Sequence, residues 1–228
     1  MKIIKIPAVF LAGALFLALF GACGDGKGES TMTPWNTGDP YPVVTITIAD
    51  NGAFKGGAIT AELYPDKAPN TVHNFISLIN DGYFVGKVFH RAVPGFMIQG
   101  GSPGGDGMST GFPYAIPAEF ANAGFAQNDL KHTPGVLSMA RLGAPYGQDP
   151  APYYDTASSQ FFIMHGESSH LDGDYAAFGK VTSGMDIVER IVTLPANGDS
   201  LVTKPAIAAI SVDTFGLEYP DPATVPAP

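Results

Sequence analysis

Most common active-site chemistries are excluded by what the sequence lacks. There is no His-Glu-x-x-His pair to build a zinc helix, and the two Gly-x-Ser-x-Gly stretches, Gly100–Gly104 and Gly107–Gly111, fall in a glycine-rich run that reads as turns rather than as a strand-to-helix elbow for a nucleophilic serine. The stretch Gly100-Gly101-Ser102-Pro103-Gly104-Gly105-Asp106-Gly107 has the glycines of a phosphate loop without its lysine, and reads as tight turns. His165-x-Glu167 is not followed by the paired cysteines of a zinc deaminase. The histidines at 73, 90, 132, 165 and 170 have no regular metal spacing, and no carboxylate pair stands apart from the others of an acidic chain. No metal or other cofactor is expected.

A different kind of chemistry fits the run Phe89-His90-Arg91-Ala92-Val93-Pro94-Gly95-Phe96-Met97-Ile98-Gln99-Gly100-Gly101. Arginine is a permanent cation with several N–H donors in a fixed fork, and here it stands among apolar side chains and an amide. Strand alternation places Met97 and Gln99 on one face, and likewise Gln160 and Phe162. Phe96 follows Pro94-Gly95, where a turn frees it from strict alternation. A single concave patch built from Arg91, Phe96, Met97, Gln99, Gln160 and Phe162 is therefore geometrically available.

That run closely resembles the signature of cyclophilin-type peptidyl-prolyl cis–trans isomerases. Gly135-Val136-Leu137-Ser138-Met139-Ala140, Ser159-Gln160-Phe161-Phe162-Ile163, and Leu171-Asp172-Gly173 followed by Phe178-Gly179-Lys180-Val181 resemble later segments of the family in the same order. The resemblance covers residues 42–215. It implies a closed eight-stranded antiparallel β-barrel capped by two α-helices, and acceleration of X–Pro isomerisation during folding of other proteins. In the family the arginine at position 91 points toward the prolyl nitrogen, so the resemblance makes Arg91 and Gln99 the catalytic pair. It makes His90, Phe96, Met97, Ala140, Arg141, Gln160, Phe162, Leu171 and Tyr175 substrate-binding, with Ala140 and Arg141 offering main chain. The physical demand agrees. Twisting a peptide bond costs ~18–20 kcal/mol because the nitrogen lone pair is delocalised. Catalysis then needs a donor that favours the localised lone pair and a shape fitted to the twisted form. A 10⁵-fold acceleration asks for roughly 7 kcal/mol. The alternative is a cyclophilin-fold chaperone or binding module with little or no catalysis, and a purely structural lipoprotein has no use for such a site.

Three departures from the family bear on specificity. His170 stands where cyclosporin-sensitive members carry tryptophan, which implies weak cyclosporin binding. Tyr175 replaces a histidine found in many members. The segment 142–157 is longer than usual and holds Pro145, Tyr146, Pro150, Pro152, Tyr153 and Tyr154.

The elements that must position these residues read mostly as strands. Val44, Ile46 and Ile48 alternate with threonines, and further strands are expected at 58–64, 88–93, 96–99, 136–141, 160–164, 176–181 and 206–214. Val72, Phe75, Ile76 and Ile79 form a helical stripe that Pro69 opens and Gly82 stops. A second helix is expected over 185–193, started by Ser183 and Asp186 at capping-box spacing. The pattern alone also allows a β-sandwich.

The chain of 228 residues is 45% hydrophobic and carries a formal net charge of −9, enough apolar matter for a core and the wrong sign for nucleic acid. Lys2 and Lys5 precede an apolar run ending Phe20-Gly21-Ala22-Cys23, the form of a secretory signal peptide with a resemblance to the bacterial lipoprotein motif. The expected division is a signal peptide over 1–22, a lipidated Cys23 with a flexible tether over 23–41, an isomerase domain over 42–216, and a proline-rich, loose tail over 217–228. The expected protein is an exported monomer acting on proline-containing polypeptides. A lipid anchor is expected to hold it on the outer side of the cytoplasmic membrane or in the cell envelope.

Overall fold

The computed structural model describes residues 33–52, 54–108 and 111–228. The expected signal peptide, Cys23 and the first part of the tether lie outside the described residues.

The strands, in chain order, are β1 (Thr33–Pro34), β2 (Val43–Ile48), β3 (Gly57–Leu63), β4 (Phe89–Val93), β5 (Met97–Gly100), β6 (Tyr114–Ala115) and β7 (Val136–Met139). They continue with β8 (Phe161–Met164), β9 (Ala177–Ser183), β10 (Ala196–Asn197), β11 (Ser200–Leu201), β12 (Ile207–Asp213), β13 (Leu217–Glu218) and β14 (Val225–Pro226). Among the described residues, two α-helices, α1 (Pro69–Asn80) and α2 (Met185–Val192), and three short 3₁₀ turns complete the set. The fold is mainly β. Ten strands form one sheet in the order β10-β11-β4-β5-β8-β7-β9-β3-β2-β12. Its eight longer strands are those read from the sequence. The short β10 and β11 were not expected.

Alternation along the strands divides the apolar residues between two clusters. Phe161 and Ile163 of β8 enter the main core, while Phe162 and Met164 enter the second cluster with Met97, Val136, Leu171 and Ala177. The main core is built on aromatic edges: the Phe75 ring lies 5.0 Å from Phe84, 5.2 Å from Phe161 and 5.0 Å from Phe178.

α1 starts at Pro69 as expected, whereas α2 starts differently from the sequence expectation. The first turn of α1 has no local side-chain cap. Instead Glu119 accepts the N–H groups of Asn70 at 2.9 Å and Thr71 at 2.7 Å, putting a carboxylate where the helix dipole favours one. At α2 the capping box is absent: Ser183 ends β9 and the N-cap is Gly184 at φ 92°. A Cβ there would lie 2.3 Å from the Ala58 carbonyl oxygen, so close backbone approach, rather than side-chain capping, sets the start of this helix.

The loose tail is also corrected. Leu217–Glu218 pairs in parallel with Thr33–Pro34, and Val225–Pro226 pairs antiparallel with Tyr114–Ala115. Asn70 and Ala223 exchange two hydrogen bonds, at 3.0 and 2.7 Å. Prolines restrict the segment to extended backbone, which these partners accept as readily as solvent would. Trp35, just after β1, stacks at 6.1 Å on Tyr41 and donates to the Pro40 carbonyl.

Candidate active site

A β-bulge decides which way the arginine faces. Phe89 pairs with Gly100 and Arg91 with Gln99, so His90 is the extra residue of β4. Phe89 keeps its place in the main core, and Arg91 turns out of it. From Arg91 the register continues sideways across the sheet: Ser200 opposite Arg91, Arg91 opposite Gln99, Gln99 opposite Phe162, Phe162 opposite Ser138 and Ser138 opposite Ala177. One row perpendicular to the strands thus brings the cation, the amide and the phenylalanine to one face.

Above this row lies a cavity of about 120 Å³ lined by Arg91, Phe96, Met97, Gln99, Ala140, Arg141, Phe162, Leu171 and Tyr175. Arg91 Nη1 donates to Gln99 Oε1 at 3.3 Å, Gln99 Nε2 to Gln160 Oε1 at 3.0 Å, and Gln160 Nε2 to the Gly107 carbonyl at 3.1 Å. This chain of donors orients both amides. Gln160 stands behind the cavity as a support, not in its wall. The guanidinium carbon of Arg91 lies 5.9 Å from the centre of the Phe96 ring. Phe96 is held from behind by His165, whose backbone N–H reaches the Phe96 carbonyl at 2.8 Å and whose Nδ1 accepts from Gly95 N–H at 2.8 Å.

His90, expected at the substrate, does not line the cavity. The bulge directs it inward, where it is buried against Gly107. Burial, with the nearby charges of Lys204 and Arg91, holds its pKa down to about 4 despite Asp106, so the ring is neutral at ordinary pH.

Two supports escaped the sequence reading. Asp199, in the turn between β10 and β11, pairs with Arg91 at 2.8 Å. With Gly198 it forms the two-residue hairpin turn, but nothing local says that the turn reaches residue 91. His132, buried, stacks at 6.0 Å behind Phe162, its Nδ1 on Asp172 at 3.1 Å and its Nε2 on Ser138 at 3.0 Å. A carboxylate only accepts, so Nδ1 carries the proton and Nε2 receives the serine hydroxyl. Burial pushes this imidazole down from its ordinary value, and Asp172 offsets only part of that.

The arrangement offers a charged donor, a half-apolar hollow and no nucleophile aligned with a base. Residues 43–212 match the family model "Cyclophilin type peptidyl-prolyl cis-trans isomerase/CLD". The peptidyl-prolyl cis-trans isomerase B of Bacillus subtilis (strain 168) is 43% identical over 145 residues, covering 63% of this chain and 87% of its own. An isomerase of Synechococcus elongatus is 40% identical over 148 residues, covering 64% and 88%. Among solved structures, a cyclophilin type isomerase of Cryptosporidium parvum matches with a TM-score of 0.61 at 27% identity, over 77% of this chain and 99% of that one. The same enzyme in the presence of the dipeptide Ala-Pro matches with a TM-score of 0.59 at 28% identity, over 76% and 99%. Sequence and fold together place this chain in the cyclophilin-type peptidyl-prolyl cis–trans isomerase family, and its activity is the interconversion of cis and trans X–Pro bonds.

Proposed function

We propose that Arg91 is the catalytic donor and that the cavity beside it receives the proline ring of a polypeptide substrate. The observation that carries this reading is the placement of the guanidinium against the Phe96 wall of a half-apolar hollow that Met97, Phe162 and Leu171 also line. As the X–Pro bond twists, the nitrogen lone pair localises, and a charged N–H aimed at it binds the twisted form better than either planar one. Gln99 holds the fork of Arg91 and shares in orienting the substrate. Phe96, Met97, Phe162 and Leu171 accept the ring, and Ala140 and Arg141 border the chain around it. The Ala-Pro dipeptide named with the Cryptosporidium parvum relative supports proline-containing ligands here.

We further propose that the eight longer strands close into a barrel. Gly86 N–H reaches the Ile207 carbonyl and Ile207 N–H the Lys87 carbonyl, both at 2.8 Å, a bridge between the approach to β4 and the start of β12. The proposed protein is an exported monomer with a lipid on Cys23, working on polypeptides that fold outside the cytoplasm. Support for export is the basic start and short apolar run ahead of Cys23. Mass analysis of the mature N-terminus tests the lipid; an unmodified Met1 would refute it.

The role of Arg91 is tested by protease-free exchange spectroscopy of a prolyl peptide. Arg91→Ala is expected to lose at least about tenfold in kcat/KM with an unchanged circular dichroism spectrum. Wild-type turnover in that variant would remove Arg91 from the mechanism.

A further inference from the structure

We propose that Arg141 makes this isomerase selective for X–Pro bonds flanked by a carboxylate side chain. The inference deepens, and rests on, the reading of the cavity as the prolyl site.

The chain has three arginines. Arg91 and Arg190 hold Asp199 and Asp186. Arg141 lines the same cavity as Arg91, yet among the described residues it has no carboxylate in ion-pair reach. Its Nε and Nη1 donate to the carbonyls of Asp174 and Leu142, both at 2.9 Å. Among the described residues Nη2 meets no protein acceptor. Three rings surround the guanidinium carbon, with centres 4.6 Å away for Tyr175, 5.3 Å for Tyr154 and 5.5 Å for Phe120. Aromatic faces hold the plane of the cation and leave its charge uncancelled.

The two arginines of the cavity therefore differ in what they present. Asp199 offsets the charge of Arg91, and Arg141 supplies an unbalanced one. Two carbonyl bonds and three ring contacts fix its fork before a ligand arrives, so little side-chain freedom is lost when a carboxylate docks. Its Nη2 face offers the donors that a carboxylate takes best. Tyr154 belongs to the long 142–157 segment, which gives that insertion a purpose: it completes the cage. The chain as a whole opposes acidic ligands with its net charge of −9, but at 0.15 M salt that field fades over about 8 Å, whereas a direct contact at the cavity persists.

The test is a set of otherwise identical prolyl peptides carrying Glu, Gln or Lys beside the X–Pro bond, on either side, measured by exchange spectroscopy at 0.15 M salt. Wild type is expected to favour Glu over Gln by about fivefold in kcat/KM at one of the two positions, and to disfavour Lys. Each variant is judged by its own Glu-to-Gln ratio, so any loss common to all peptides cancels. Arg141→Gln is expected to bring the ratio to about one, and Arg141→Lys to retain part of it. Equal turnover of Glu and Gln peptides by wild type would overturn the proposal, as would a ratio that survives in Arg141→Gln. If Arg141→Gln does not fold, the wild-type ratio at about 1 M salt decides: a fall supports the contact, and constancy overturns it. Turnover of none of the peptides would instead sink the prolyl-site reading, and this inference with it.

Discussion

Asp199 takes two N–H groups of Arg91 on one oxygen, from Nε at 3.1 Å and Nη2 at 2.8 Å. With Gln99 on Nη1, the fork of the arginine is held from two sides and its remaining donors are left for the cavity. The side chains of the pair are 37% and 55% exposed, so the contact adds less than about 1 kcal/mol to stability. Its loss should register in catalysis instead. Asp199→Ala is expected to lower kcat/KM by about tenfold with a melting temperature changed by less than about 4 °C, and Asp199→Asn, which keeps an acceptor, by less than about threefold. An Ala variant as active as wild type would mean that Gln99 alone fixes the fork.

His170 bears on drug binding. Its ring lies 5.9 Å from that of Phe96 at the edge of the cavity, and by family resemblance it stands in for a tryptophan that donates to cyclosporin. Imidazole offers a smaller face and a differently placed N–H. Calorimetry is expected to give His170→Trp at least about tenfold tighter cyclosporin binding than wild type, or about 1.4 kcal/mol. Equal affinities would locate the weakness elsewhere in the cavity.

Acid sensitivity follows from the buried imidazoles. Burial is the main reason that His90 titrates near 4 in the folded protein, against about 6.5 when unfolded. Between those values the unfolded chain binds a proton that the folded one refuses, so stability is complete above pH 6.5 and falls as pH drops. His73 and His132 are lowered by burial as well and steepen the same slope. Urea unfolding is expected to show His90 costing about 2 kcal/mol between pH 6.5 and pH 5, a window above most carboxylate titration. His90→Gln should flatten the profile by that amount; parallel profiles would show that His90 is protonated in the fold.

The proline-rich end is predicted to matter for stability. Ending the chain after Glu218 removes the Asn70–Ala223 exchange and the β14–β6 pairing. A few partly exposed hydrogen bonds are worth about 1–2 kcal/mol, a loss of roughly 2–8 °C in a thermal melt. A melt unchanged by the truncation would restore the loose tail that the composition implied.

What the sequence made legible was whatever depends on period two or on local punctuation. The eight longer strands and the shared face of Met97 and Gln99 follow from alternation, and α1 from its helical stripe and Pro69 start; the eleven site residues came from the family resemblance, and the cavity gathers nine of them. His90 was set at the substrate by the resemblance alone, and the bulge that turns it away from the cavity leaves no mark in composition. Asp199 and His132 were missed because their partners are far along the chain, 108 residues away for Asp199 and 40 for His132 with Asp172. The start of α2 was misread because Ser183 fits a local rule that a close Gly184–Ala58 approach overrides.

The capping of α1 by Glu119 has a temporal side. The helix leaves the ribosome ahead of its cap: the acceptor for its leading amides lies 48 and 49 residues further on. Until that stretch emerges and swings back, Asn70 and Thr71 have only water to bond. Completion of the first turn of this helix is thereby coupled to closure of a long loop, so its ordering is a long-range event and not a local one.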